Sequence, residues 1–118
     1  MLREASRQFA DQLAQKSVLL PLYRHRNIIV EIKNSDNDEQ TWLCFRNGHC
    51  EVIEDKPEQV DVIIRGNSSI LESVINGSER LMLLESEGNL NIEGSLPHVL
   101  ALESLFLLTG QQSSLFKH

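Results

Sequence analysis

Asn47-Gly48 joins two β-rich runs, "TWLCFR" (41–46) and "HCEVI" (49–53). Both residues tolerate positive φ, which makes Asn-Gly the favoured two-residue hairpin turn. The turn fixes a register: Arg46 opposes His49, Phe45 opposes Cys50, Cys44 opposes Glu51, and Leu43 opposes Val52. Directly opposed residues share a sheet face. One face therefore carries Leu43, Phe45, Cys50 and Val52, and these are the expected core side. The other carries Trp42, Cys44, Arg46, His49, Glu51 and Ile53. Cys44 and Cys50 point to opposite faces, so no disulfide is expected between them, because a disulfide needs converging Cβ vectors.

Around this hairpin the other elements follow from periodicity. Residues 3–16 read as a helix, with Phe9 and Leu13 one turn apart. "SVLLPLY" (17–23) is a connector, since Pro21 does not continue that helix, and its leucines need cover. "NIIVEIK" (27–33) alternates as a strand, and "SDNDEQ" (35–40) is turn chemistry. After a polar loop (54–59), "VDVIIR" (60–65) is a fourth strand. Ser69 to Glu72 fits a capping box for a helix carrying Ile70, Leu71, Val74 and Ile75, which Asn76-Gly77 stops. Ser78 is placed to cap a short helix at 79–86, although Leu81 to Leu84 reads equally as strand. "NLNIE" (89–93) is the fifth strand. Ser95 caps a last helix, with Pro97 in its first turn and Thr109-Gly110 as its end. The tail beyond is polar apart from Leu115 and Phe116. Early hairpins with helices collected later predict an α+β fold, an antiparallel sheet with helices on one face. At 118 residues, 1–118 is expected to form a single domain.

Charge narrows the function classes. The net charge is −6, which argues against nucleic acid as a partner. Its distribution is uneven: residues 1–33 carry six Lys/Arg against three acids, and the remainder five against fourteen. The cluster "YRHR" (Tyr23 to Arg26) suits an anionic headgroup or phosphate, or else is a solvated turn. The N-terminal "MLREASRQFADQ" has no signal-peptide core, and no apolar run approaches the ~18 residues a membrane span needs. A cytoplasmic protein is expected. The spacing of Cys44 and Cys50 matches no zinc module, and "DNDE" (36–39) lacks the glycine and distal Glu of a calcium loop. There is no G-x-S-x-G elbow, no P-loop and no dinucleotide fingerprint. Neither an enzyme nor a cofactor is expected.

The last helix is unusual. Between Val99 and Leu108 only Glu103 and Ser104 are polar. At about 100° per residue, Val99, Ala101, Leu102, Leu105, Phe106 and Leu108 fill one half of the helical wheel as a core face. Leu100 and Leu107 form a second seam on the side that should be wet. A second apolar contact is expected there: a subunit, a membrane surface or a lipid.

"VDVIIRGNSSILESVING" followed by "EGNLNIEGSLPHVLALESL" resembles the sterol carrier protein type 2 family, as a small stand-alone bacterial-type member. Gly88, Leu90, Ile92 and Gly94 match that family's Gly-flanked strand, and Asp61, Val62 and Ile64 its earlier strand. The resemblance implies a five-stranded, mainly antiparallel sheet covered on one face by helices. It also implies a hydrophobic tunnel for a sterol, a fatty acyl chain or a similar apolar lipid, and a binding or transfer role without catalysis. The tunnel walls then fall on Leu71, Val74 and Ile75, on Met82 and Leu83, and on Leu102, Leu105 and Phe106. The chain is short for that fold, which implies a small or closed tunnel. The alternatives are an interaction module, dimerising through Leu100 and Leu107 or through the Trp42/Cys44/Ile53 face, and an accessory domain that presents a lipid-like substrate to a separate enzyme. Transient membrane contact fits either.

Overall fold

The structure is a computed structural model that describes residues 2–115, with side chains described through Gly110. The side chains of the tail, Leu115 and Phe116 included, lie outside the described residues. The chain forms α1 (Leu2–Ala14), a short 3-10 helix (Ser17–Leu22), β1 (Ile28–Asn34), β2 (Gln40–Arg46) and β3 (His49–Ile53). Then follow β4 (Val62–Gly66), α2 (Ser68–Ile75), α3 (Leu81–Ser86), β5 (Asn91–Gly94) and α4 (Leu96–Leu115).

The five strands make one sheet in the order β3-β2-β1-β4-β5. All neighbours are antiparallel except β1 and β4, which pair in parallel. The Asn-Gly turn acts as its chemistry dictates: Asn47 and Gly48 have φ of 54° and 78°, and the pairs from Arg46–His49 to Leu43–Val52 form in the expected register. Alternation then sends Ile28, Val30, Ile32, Leu43, Phe45, Val62 and Ile64 into one core under the helices. Val52 and Cys50 pack at its edge.

The opposite face is not simply wet. Trp42 and Cys44 are buried within the single chain, outside that core cluster. Trp42 donates its indole N–H to buried Glu31 at 3.1 Å. The Trp42/Cys44/Ile53 face is therefore largely spent inside the chain and offers little to a second copy.

Several boundaries differ from the sequence reading. The connector after α1 is a 3-10 helix that accommodates Pro21, and it covers Leu19 but leaves Val18 and Leu22 exposed. The cap of α2 is Asn67, whose side chain accepts from the Ile70 amide at 2.9 Å, so the helix starts two residues before a Ser69 cap allows. Ser78 caps nothing downstream: its amide reaches back to the Ser73 carbonyl, and the Gly77 amide to Val74, which closes α2 in a Schellman turn. The N-terminus of α3 is satisfied from a distance, because Glu103 of α4 accepts the Met82 amide at 3.0 Å. That contact explains one of the two polar residues in the apolar stretch of α4.

Thr109-Gly110 does not end α4, which runs on to Leu115. Gly110 is instead a packing position. A Cβ there would lie 1.9 Å from the Asn76 carbonyl oxygen, and one on Gly77 would lie 2.5 Å from the Phe106 carbonyl oxygen. The end of α2 and the middle of α4 meet backbone to backbone, and only glycine on each side permits it. Lys16 adds a tie, donating its ammonium to the Thr109 carbonyl.

Candidate lipid-binding site

The site the sequence points to lies between α2, α4 and the sheet. Leu71, Val74 and Ile75 project inward from α2, and Leu102, Leu105 and Phe106 from α4. All six are buried in one cluster. Met82 packs against its edge, while Leu83 faces outward and is 49% exposed. On α4, Leu108 is exposed rather than in the core face, and Leu107 is half-buried. The outward stripe is Leu96, Leu100 and Leu108 rather than Leu100 with Leu107.

Aromatic contacts close this cluster from the α1 side. Phe9 meets Phe106 edge-to-face with centroids 4.8 Å apart, and Phe45 in the same manner at 6.4 Å. Tyr23 completes the chain of rings against Phe45 at 6.1 Å. Each such pair contributes about 0.5–1.5 kcal/mol beyond its buried area.

Outside Phe9 lies a depression of about 220 Å³ between α1, α2 and α4. Buried Phe9 and Ile75 form its floor, and Gln8, Gln12, Glu72 and Asn76 its more polar rim. Its floor is thus the outer surface of the same cluster. An apolar floor under amide and carboxylate groups is the environment an amphiphile needs: the chain goes inward and the head stays among hydrogen-bonding groups. Phe9 was legible as a core residue of α1, but its place at this boundary depends on contact with α4, far away in sequence.

Two thiols lie on the hairpin, both free. Burial pushes Cys50 up to about 12, with Cys44 and Glu51 adding to it. Burial also raises Cys44, against the lowering effect of Arg46 and with help from Glu51 and Asp61. Tyr23, beside Cys50, is raised by burial too. Both thiols therefore stay protonated at neutral pH and are poor nucleophiles. Above about pH 9 the unfolded Cys50 ionises while the folded one holds its proton until about 12, so stability falls across that window. The slope approaches about 1.4 kcal/mol per pH unit for one thiol. Urea midpoints should drop as pH rises through this range, and Cys50→Ala should flatten the drop. A midpoint independent of pH there would contradict the buried-thiol account.

Among the described residues no three His, Cys, Asp or Glu side chains converge as metal ligands. No helix among them is long and apolar enough to cross a membrane.

Residues 5–107 match the model of the SCP-2 sterol transfer family. The chain belongs to that family. A sequence search of curated proteins finds none that matches. Among solved structures, the SCP-2 fold of this chain is similar to that of the UbiJ-SCP2 ubiquinone synthesis protein. The TM-score is 0.73 at 16% identity, over 88% of this chain and 86% of that one. The sterol carrier protein domain 2 of Helicoverpa armigera gives 0.67 at 14% identity, over 91% and 86%. The inverting sec-alkylsulfatase Pisa1 from Pseudomonas sp. gives 0.62 at 14% identity, over 73% of this chain but 14% of the enzyme. At these identities the likeness concerns the fold: the five-stranded, mostly antiparallel sheet with its helix layer is an SCP-2 fold.

Proposed function

We propose that the chain is a single-domain lipid carrier that takes a sterol, fatty acyl or similar apolar ligand between its helices and its sheet. The wall is Leu71, Val74, Ile75, Leu102, Leu105 and Phe106, with Met82 at its edge; Leu83, which the resemblance also placed there, faces outward and does not belong to it. The observation that carries this reading is the shared floor of the depression: Ile75 belongs both to it and to the wall cluster, and Phe9, also on the floor, packs directly on Phe106. The buried wall residues pack against one another between the helices and the sheet. Swinging Phe9 aside joins the depression to the cluster, and each methylene that then enters gains about 0.8 kcal/mol. Selectivity for such a ligand is loose and affinity follows chain length. The chain supplies no chemistry of its own, uses no cofactor and acts in the cytoplasm, where two free thiols are at home.

A delipidated sample titrated with a fluorescent fatty acid should show saturable binding in the micromolar range or tighter, displaced by an unlabelled acyl chain. Absence of uptake for every sterol and fatty acid tried would end this reading. A second reading has support from the comparison with the UbiJ-SCP2 ubiquinone synthesis protein: the chain holds a lipid-like substrate for a separate enzyme. Co-purification of a biosynthetic enzyme with the tagged chain, dependent on the bound lipid, would favour it over free transfer.

A further inference from the structure

We propose that the surface where the 3-10 helix meets the start of α4 docks the protein on an anionic lipid bilayer. Val18 and Leu22, one turn apart, are 69% and 40% exposed. Leu96 and Leu100, also one turn apart, are 56% and 44% exposed. Single exposed apolar residues need no explanation, but Leu22 and Leu100 line one groove, and Val18 and Leu96 extend each bank by one turn. A groove of about 330 Å³ runs between the two elements, with Leu22 on one bank and Pro97, Leu100 and Ala101 on the other.

Arg26 lines the same groove. Its Nε donates to the Leu22 carbonyl at 3.1 Å, which holds the guanidinium beside that leucine. Arg24 is exposed two residues away, and its Nε donates to His25 at 3.3 Å. Among the described residues neither arginine has a carboxylate partner, which is also so of Arg46 and Arg80 but not of Arg3, Arg7 and Arg65. A chain of net charge −6 thus keeps two unneutralised cations next to an exposed apolar patch. Leucines that enter the acyl boundary beneath arginines that meet phosphate are the arrangement an interfacial surface needs.

The charge also decides between a bilayer and a second copy of the chain. In a two-fold interface this patch would face itself and bring the arginine pair of each copy towards the other's. An anionic bilayer complements both arginines. The dock does not rest on the internal site, so it and lipid uptake fail or succeed separately.

The test is cosedimentation of the full chain with phosphatidylcholine vesicles, with and without phosphatidylglycerol. The protein should pellet with the anionic vesicles only, and salt should release it. Arg24→Ala with Arg26→Ala should lower the partition roughly 25-fold, about fivefold for each arginine. Leu96→Glu with Leu100→Glu should abolish it. Arg24, Leu96 and Leu100 are exposed and Arg26 is half-buried in the groove, and circular dichroism checks that the fold is kept. Wild type that stays in the supernatant, or variants that pellet as wild type does, would overturn the proposal. So would a dimer by light scattering that Leu100→Glu dissolves, because the patch would then be a contact between copies.

Discussion

Gly110→Ala is expected to destabilise the protein, although helix propensity alone predicts the reverse. An interior helical glycine replaced by alanine normally gains about 1 kcal/mol. Here the new methyl would sit 1.9 Å from the Asn76 carbonyl oxygen and 3.0 Å from the Gly77 Cα. Both are backbone atoms of the Schellman turn that ends α2, so no side chain can rotate away. Either α4 lifts from α2 or that turn distorts, and overpacking of this kind costs about 3 kcal/mol. For a chain of this size that lowers the melting temperature by about 10 °C. Gly88→Ala is the control. Gly88, unlike the helical Gly110, has positive φ, at 80°, and a Cβ there meets nothing within 4 Å. Only the conformational penalty of about 1 kcal/mol remains. Thermal melts of the two variants separate the effects, and a Gly110→Ala protein as stable as wild type would show that the two helices do not meet in this way.

Phe9→Ala should cost about 3–5 kcal/mol in the ligand-free protein, since the ring is buried between Phe106 and Phe45. It should also improve ligand uptake, because the ring no longer has to leave before a chain can enter. A ligand at a hundred times its Kd stabilises by about 2.7 kcal/mol, and the variant, binding more tightly, should gain more than wild type at the same fatty acid concentration. Leu13→Ala is the matching control. Leu13 is buried on the same helix but does not line the depression, so it should lose stability without a larger response to ligand. Equal ligand-induced shifts in all three proteins would remove Phe9 from the entry path.

What could be read from the sequence was what local chemistry decides. The Asn47-Gly48 turn carried its own register, and alternation in β1, β2 and β4 named the sheet side of the core. The burial of Leu71, Val74 and Ile75 and of Leu102, Leu105 and Phe106 followed from helical periodicity in α2 and α4. The remainder depends on partners distant in the chain. Gly110 has the sequence appearance of a helix stop, yet its role is set by Asn76 and Gly77. Glu103 is the one acid in an apolar helix, which was a signal, but its partner is the Met82 amide on α3. Leu108 sat at the margin of the predicted core face, and the seating of α4 against α2 and the 3-10 helix left it outside. Phe9 was visible as a core residue, while its contact with Phe106 awaited the packing of α1 on α4.

Whether the buried cluster is a ligand site is tested most directly by native mass spectrometry of freshly purified protein. A population whose mass exceeds the bare chain by that of one lipid is expected. That excess should disappear on delipidation and return on incubation with a fatty acid or sterol. A bare chain before and after incubation, at every lipid tried, would contradict it.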